Sequence, residues 1–159
     1  MKKYELTAEF IEKWGKKLFR IKALISFGSV EVGELGGYVE KEDNLAQDGN
    51  AWVYGNARVC GDAEVYGDAK VCGDADYLLI GRIGSRFSFT TFFKNKDKGI
   101  TVSCGCFLGT IAEFRAKVSD THGNNKHAKI YNLAADMAEL QILGEEYFDK
   151  LNTNKSEPF

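Results

Sequence analysis

Asp48 to Tyr77 reads DGNAWV, YGNARV, CGDAEV, YGDAKV, CGDADY, a beat of six residues. Gly recurs at 49, 55, 61, 67 and 73, Asn or Asp follows each Gly, and Ala follows at 51, 57, 63, 69 and 75. Val closes four of the hexads, at 53, 59, 65 and 71. Such a repeat predicts a solenoid, because each unit buries its apolar edge only against its neighbours. Gly-Asn and Gly-Asp supply the turns, since both residue types tolerate positive φ.

Two coils fit this beat, one of twelve residues and one of eighteen. The alternation Tyr54, Cys60, Tyr66, Cys72 favours twelve, with like stacked on like. The charges favour eighteen. A twelve-residue coil sets Arg58 on Lys70 and Glu64 on Asp76, and like charges directly opposite destabilise a sheet. An eighteen-residue coil sets Arg58 on Asp76, Trp52 on Lys70 and Glu64 near Arg82. Ahead of the hexads, a two-residue offset separates Leu45 from Val53, so the first coil is expected to be irregular.

Outward from the repeat, residues 1–36 read as an N-terminal cap, 37–80 as the repeat and 81–159 as an α+β C-terminal module. In the cap, Thr7 reads as the start of a short helix over 8–13, and 18–27 as a strand with Arg20 and Lys22 outward. In the module, 87–93 and 100–104 read as a hairpin joined by the solvated turn 94–99. Thr110 and Glu113 match a capping box for a helix over 111–121. A second helix is expected over 126–149. Its buried stripe is Tyr131, Ala134, Ala135, Ala138 and Ile142, widened by Ile130, Leu133, Met137 and Leu140. The last eight residues, with the only proline at Pro158, read as a frayed tail.

The net charge of −2 gives no field for duplex nucleic acid or an acidic membrane. The first residues lack the apolar core of a signal peptide, and no apolar run spans a bilayer, so a cytoplasmic location is expected. There the four cysteines are free thiols or ligands.

The Val-x-Gly-Asn/Asp-Ala-x pattern resembles the hexapeptide-repeat signature of left-handed β-helix proteins. The stretches around 18–45 and Cys104-Gly-Cys-Phe-Leu-Gly-Thr110 resemble small bacterial and phage versions, some with a C-terminal module. This resemblance implies a short left-handed β-helix capped by an α+β module with two helices, assembled as a homo-oligomer, a trimer first. It also places the chain in a phage setting, hence in the cytoplasm of a host. Many proteins of this repeat are acyltransferases, whose chemistry needs a general-base histidine beside the coil. Here no histidine occurs in the repeat; His122 and His127 both lie in the C-terminal module.

Three constellations are candidates for chemistry. Gly81-Arg-Ile-Gly-Ser-Arg86 joins flexible backbone, a hydroxyl and two guanidiniums, which is the make-up of an anion or phosphate cradle. Residues 81–98 carry five Lys/Arg against one Asp, whereas 48–77 carry two against six acids. The plain reading is a turn of the chain, with Arg82 answering Glu64. The functional one is a ligand site of Arg82, Gly84, Ser85 and Arg86, joined by Thr90, Lys126 and His127. Cys104 and Cys106 with His122 and His127 have zinc-like spacing, against a reading in which Cys106 is a buried small hydrophobe and the histidines serve helix ends. Phe87, Phe89, Phe92 and Phe93 read as base-stacking residues or, more simply, as core against the helices.

The expected function is therefore non-enzymatic capture of a small phosphorylated molecule, without a cofactor. The phage resemblance implies a nucleotide signal of host immunity, sequestered as an anti-defence measure. A protein-binding module and a hexapeptide acyltransferase are the two alternatives.

Overall fold

The computed structural model describes residues 1–154. Of the expected tail, 155–159 including Pro158 lies outside the described residues, whereas 152–154 complete a helix. The strands are β1 (Tyr4–Lys13), β2 (Lys16–Ala23), β3 (Leu35–Val39), β4 (Trp52–Val53), β5 (Arg58–Val59), β6 (Lys70–Val71), β7 (Tyr77–Ile83), β8 (Ser88–Lys94), β9 (Ile100–Cys104) and β10 (Phe107–Thr110). Helices α1 (Ile111–His122), α2 (Lys126–Leu143) and α3 (Glu145–Asn154) follow.

This is an α+β fold of three small sheets and three C-terminal helices, not the expected left-handed β-helix solenoid. The sheets run β1-β2-β3-β5, β4-β6 and β10-β9-β8-β7. The eighteen-residue spacing does occur locally. Trp52 pairs with Lys70 and Val53 with Val71 in parallel, and before the two-residue offset Tyr38 pairs with Arg58 and Leu45 bridges Val65. Each paired strand from the hexads is two residues long, however, and they are divided between two sheets. Five hexads supply fewer than two turns of eighteen. The ladders that carry most of the pairing are antiparallel, β1–β2–β3 on one side and β7–β10 on the other.

The expected helix over 8–13 is part of strand β1. Trp14 and Gly15, with φ of 53° and 74°, make the two-residue turn into β2 that suits a right-twisted hairpin. The Thr7 hydroxyl donates to the Arg20 carbonyl at 2.8 Å instead of capping a helix. A register shift between Leu6 and Phe10 breaks the strict alternation that would have marked the strand in sequence.

The hexads fill one core. Val53, Val59, Val65 and Val71 are fully buried, and Ala51, Ala57, Ala63 and Ala69 nearly so, around Trp52. Phe27 and Tyr4 meet Trp52 edge-on at 5.3 and 6.2 Å. The Lys3 ammonium is drawn into this core, donating to the carbonyl of Ala51 at 2.8 Å and to those of Asp48 and Gly49 at 3.4 Å. Arg58 was expected against Asp76. Its guanidinium instead grips Asp74 with Nε and Nη2, and its backbone N–H donates to the same carboxylate at 2.8 Å.

A second core lies between the β7–β10 sheet and the helices. Successive residues of a strand point to opposite faces, so Phe93 enters the hexad core and Phe92 the helical one. Phe114 meets Phe92 and Tyr131 edge-on, each at 5.7 Å. Phe87, expected in this core, is 70% exposed at the turn before β8. The Thr110 hydroxyl accepts from the Glu113 N–H at 3.2 Å and starts α1, as its sequence predicts. Asn125 caps α2 in the same way, accepting from Ala128 at 3.1 Å. The single helix expected over 126–149 is interrupted at Gly144, whose φ of 73° ends α2 and begins α3. Tyr131, Ala134, Ala135, Ala138 and Ile142 are buried as expected, but Ile130, Leu133, Met137 and Leu140 form a separate, exposed face.

Candidate functional site

A cleft of about 280 Å³ opens where the end of β9 and the turn before β8 meet α1 and α2. Its polar wall carries Ser85, Arg86 and Ser88 from the β7–β8 connection, Lys117, Thr121 and His122 from α1, and Cys104 and Cys106. Phe107, Phe114 and Val118 form its apolar floor. An arginine, a lysine, a histidine and several hydroxyls therefore converge, with no carboxylate in the lining. That donor set favours an anion, and a guanidinium adds forked hydrogen bonding suited to phosphate.

Backbone geometry builds this arrangement. Gly84 has a φ of 81°, and a Cβ there would overlap the Tyr131 hydroxyl and sit 2.5 Å from its Cζ. Only glycine lets the β7–β8 turn close over α2 and bring Ser85 and Arg86 to the cleft. Tyr131 is also a cleft residue; burial pushes its phenol pKa up, the Cys104 thiol adds to that, and Arg86 opposes it. Thr90, buried behind the wall, donates to Cys104 Sγ at 3.2 Å. His122 stacks on Tyr131 with ring centroids 5.7 Å apart, and the His127 ring lies 5.6 Å from His122.

Of the residues expected to hold a phosphate, Ser85 and Arg86 line the cleft and Gly84 shapes it. Thr90 supports it from behind through Cys104. Arg82 does not join them. It lines an adjoining depression with Asp62, Glu64 and Phe89 that meets the cleft at Ser88 and Gly105; its guanidinium lies 5.9 Å from the Phe89 ring centre, and no ion pair to Glu64 occurs among the described residues. Lys126 is exposed at the start of α2, outside the lining. His127 is also outside it, with a buried Nδ1 that has no hydrogen-bond partner. Sequence reasoning missed Lys117 and Thr121. They follow Phe114 by one turn or two of α1, so the capped helix itself could have pointed to them.

The zinc constellation is only partly assembled. Cys104, Cys106 and His122 share the cleft, but no group of three or more His, Cys, Asp or Glu among the described residues is arranged to hold a metal ion. Cys106 is exposed, not a buried hydrophobe. All four cysteines are free, and no described helix is long and apolar enough to cross a membrane.

No family model matches this chain, and no curated protein matches it. The resemblance to hexapeptide-repeat β-helix proteins is thus supported neither by these comparisons nor by the sheets described above. The phage setting and the immune-signal ligand rested on that resemblance alone and fall with it. The cleft rests on its own residues.

Proposed function

We propose that this protein binds a small phosphorylated molecule in the cleft beside Arg86 and holds it without turnover. One observation carries the reading: Arg86, Lys117 and His122 converge with the hydroxyls of Ser85, Ser88 and Thr121, and no acid faces them. The phosphate would sit on the cationic wall. The Phe107, Phe114 and Val118 floor would take a compact apolar or aromatic body, such as the base of a nucleotide. A volume near 280 Å³ is at the small end for ligand sites, which suits a single small anion better than an acyl-coenzyme A and disfavours the acyltransferase alternative. A cytoplasmic setting fits the reduced thiols on the cleft rim.

The test is thermal stability in a panel of inorganic phosphate, sugar phosphates and mononucleotides. A phosphorylated compound at about a hundred times its Kd should add roughly 2.7 kcal/mol of stability. The rise should vanish in Arg86→Ala and Lys117→Ala, both at exposed positions. No rise with any compound, or a rise that both variants keep, contradicts the proposal.

A further inference from the structure

We propose that Cys104 and Cys106 form a reactive dithiol, which a hydroperoxide closes to a disulfide within the β9–β10 turn and a thiol reductant reopens. All four cysteines are free thiols. Cys104 and Cys106 line the cleft together, whereas Cys60 and Cys72 do not line it. Gly105 alone separates the pair, in a two-residue turn closed by the pairing of Cys104 with Phe107.

Three features fit this pair to a disulfide. The first is reach. The Cα atoms of residues two apart lie at most about 7 Å from each other in an extended chain, and a turn shortens that span. A disulfide takes about 4.4–6.8 Å between Cα atoms. The second is compliance. Gly105 has a φ of 58°, and nothing lies within 4 Å of a Cβ placed there, so the turn stands clear of the body and can adjust as the sulfurs meet. The third is unequal access. Cys106 is exposed, whereas Cys104 is half-buried and its Sγ accepts from the Thr90 hydroxyl at 3.2 Å. An exposed sulfur that meets the oxidant, beside a sheltered one that resolves it, is the layout of a redox-sensing pair.

The chemistry balances in two steps. The Cys106 thiolate attacks one oxygen of hydrogen peroxide: an S–O bond forms, the O–O bond breaks, and the departing hydroxide takes a proton to become water. The Cys104 thiolate then attacks the sulfenic sulfur of Cys106: the S–S bond forms, the S–O bond breaks, and a second hydroxide leaves and is protonated. The two protons are those the thiols gave up. The sulfurs lose two electrons and the peroxide gains them.

The experiment treats the reduced full chain with hydrogen peroxide and follows it by intact mass, thiol titration and peptide mapping. The expected result is loss of two hydrogens, two of the four thiols still titratable, and a Cys104–Cys106 link that dithiothreitol reverses. Cys104→Ser should trap a sulfenic acid on Cys106 that dimedone caps. Cys106→Ser should react more slowly, because its remaining cleft thiol is half-buried. Cys60→Ser with Cys72→Ser should leave the link unchanged. Four thiols surviving the treatment, a link that uses Cys60 or Cys72 or joins two chains, or oxidation of Cys106 beyond the sulfenic acid with no disulfide overturns the proposal. A sulfenic acid forming as fast on Cys104 in Cys106→Ser overturns the order of attack. None of these outcomes depends on what the cleft binds.

Discussion

Gly84→Ala is the sharpest perturbation of the site, because two separable effects act on it. The first is conformational: at a φ of 81°, an L side chain is strained by about 1 kcal/mol. The second is steric: the new methyl would overlap the Tyr131 hydroxyl and lie 2.5 Å from Cζ, and Tyr131 is held in the core by Phe114. Overpacking of this kind costs about 1–3 kcal/mol. The sum is roughly 2–4 kcal/mol, a fall in Tm of at least about 5 °C for a chain of this size. Gly15→Ala is the control. Its φ is 74°, in the hairpin turn between β1 and β2, but nothing lies within 4 Å of the added atom, so it should cost only the conformational part, about 1 kcal/mol. Denaturant unfolding of the two variants separates the effects. Adding Tyr131→Phe to Gly84→Ala should recover part of the loss and not all, since the ring carbon still crowds the methyl. Equal costs at Gly84 and Gly15, or strict additivity with Tyr131→Phe, would refute the account of how this turn is seated on α2.

The remaining predictions concern charge. Burial raises the Asp74 carboxyl pKa, but the hydrogen bonds and charge of Arg58 more than offset this and hold it below the usual range. A depressed carboxylate contributes stability that is present above the unfolded pKa and lost as pH falls through the folded one. In Arg58→Ala the Asp74 midpoint, followed by NMR, should move up; an unmoved midpoint would show that the pair is not formed in solution. Burial pushes the Lys3 ammonium down to about 8, with Asp48 opposing. Between pH 8 and about 10 the unfolded chain then binds more protons than the folded one, so unfolding free energy should rise with pH. Lys3→Met should flatten that rise, and a slope unchanged by the substitution contradicts the burial of the ammonium. Above pH 10 the Tyr4 phenol, its pKa raised by burial with Glu42 and Asp43 adding, works the other way.

Local chemistry made much of the C-terminal half readable. Thr110 and Asn125 satisfy backbone N–H groups at helix starts, and the 3.6-residue period of Tyr131, Ala135, Ala138 and Ile142 marks a buried face. The two-residue offset before Val53 was likewise visible and reappears as pairing of Tyr38 with Arg58 but of Trp52 with Lys70. The misread parts depend on distant partners. Strand β1 carries a shifted register, so its own residues do not show the alternation that β2 enforces. Gly144 looks like a tolerable interruption until its positive φ splits the helix. The hexads advertise a solenoid, but the antiparallel ladders on either side take over after fewer than two turns. At the site, Arg86 and Ser85 were legible as an anion-binding pair, whereas Arg82, four residues earlier, is separated from them by the turn at Gly84. Lys117 comes from another element altogether, and only the packing of α1 on β8 and β9 brings it in.

The most direct measurement of the central claim is backbone NMR of labelled protein titrated with inorganic phosphate and a mononucleotide. The account predicts saturable shifts concentrated at Ser85, Arg86, Lys117, Thr121 and His122, on both sides of the cleft, and their loss in Arg86→Ala. Shifts spread over the surface lysines, shifts centred on Arg82, or none at all would contradict it.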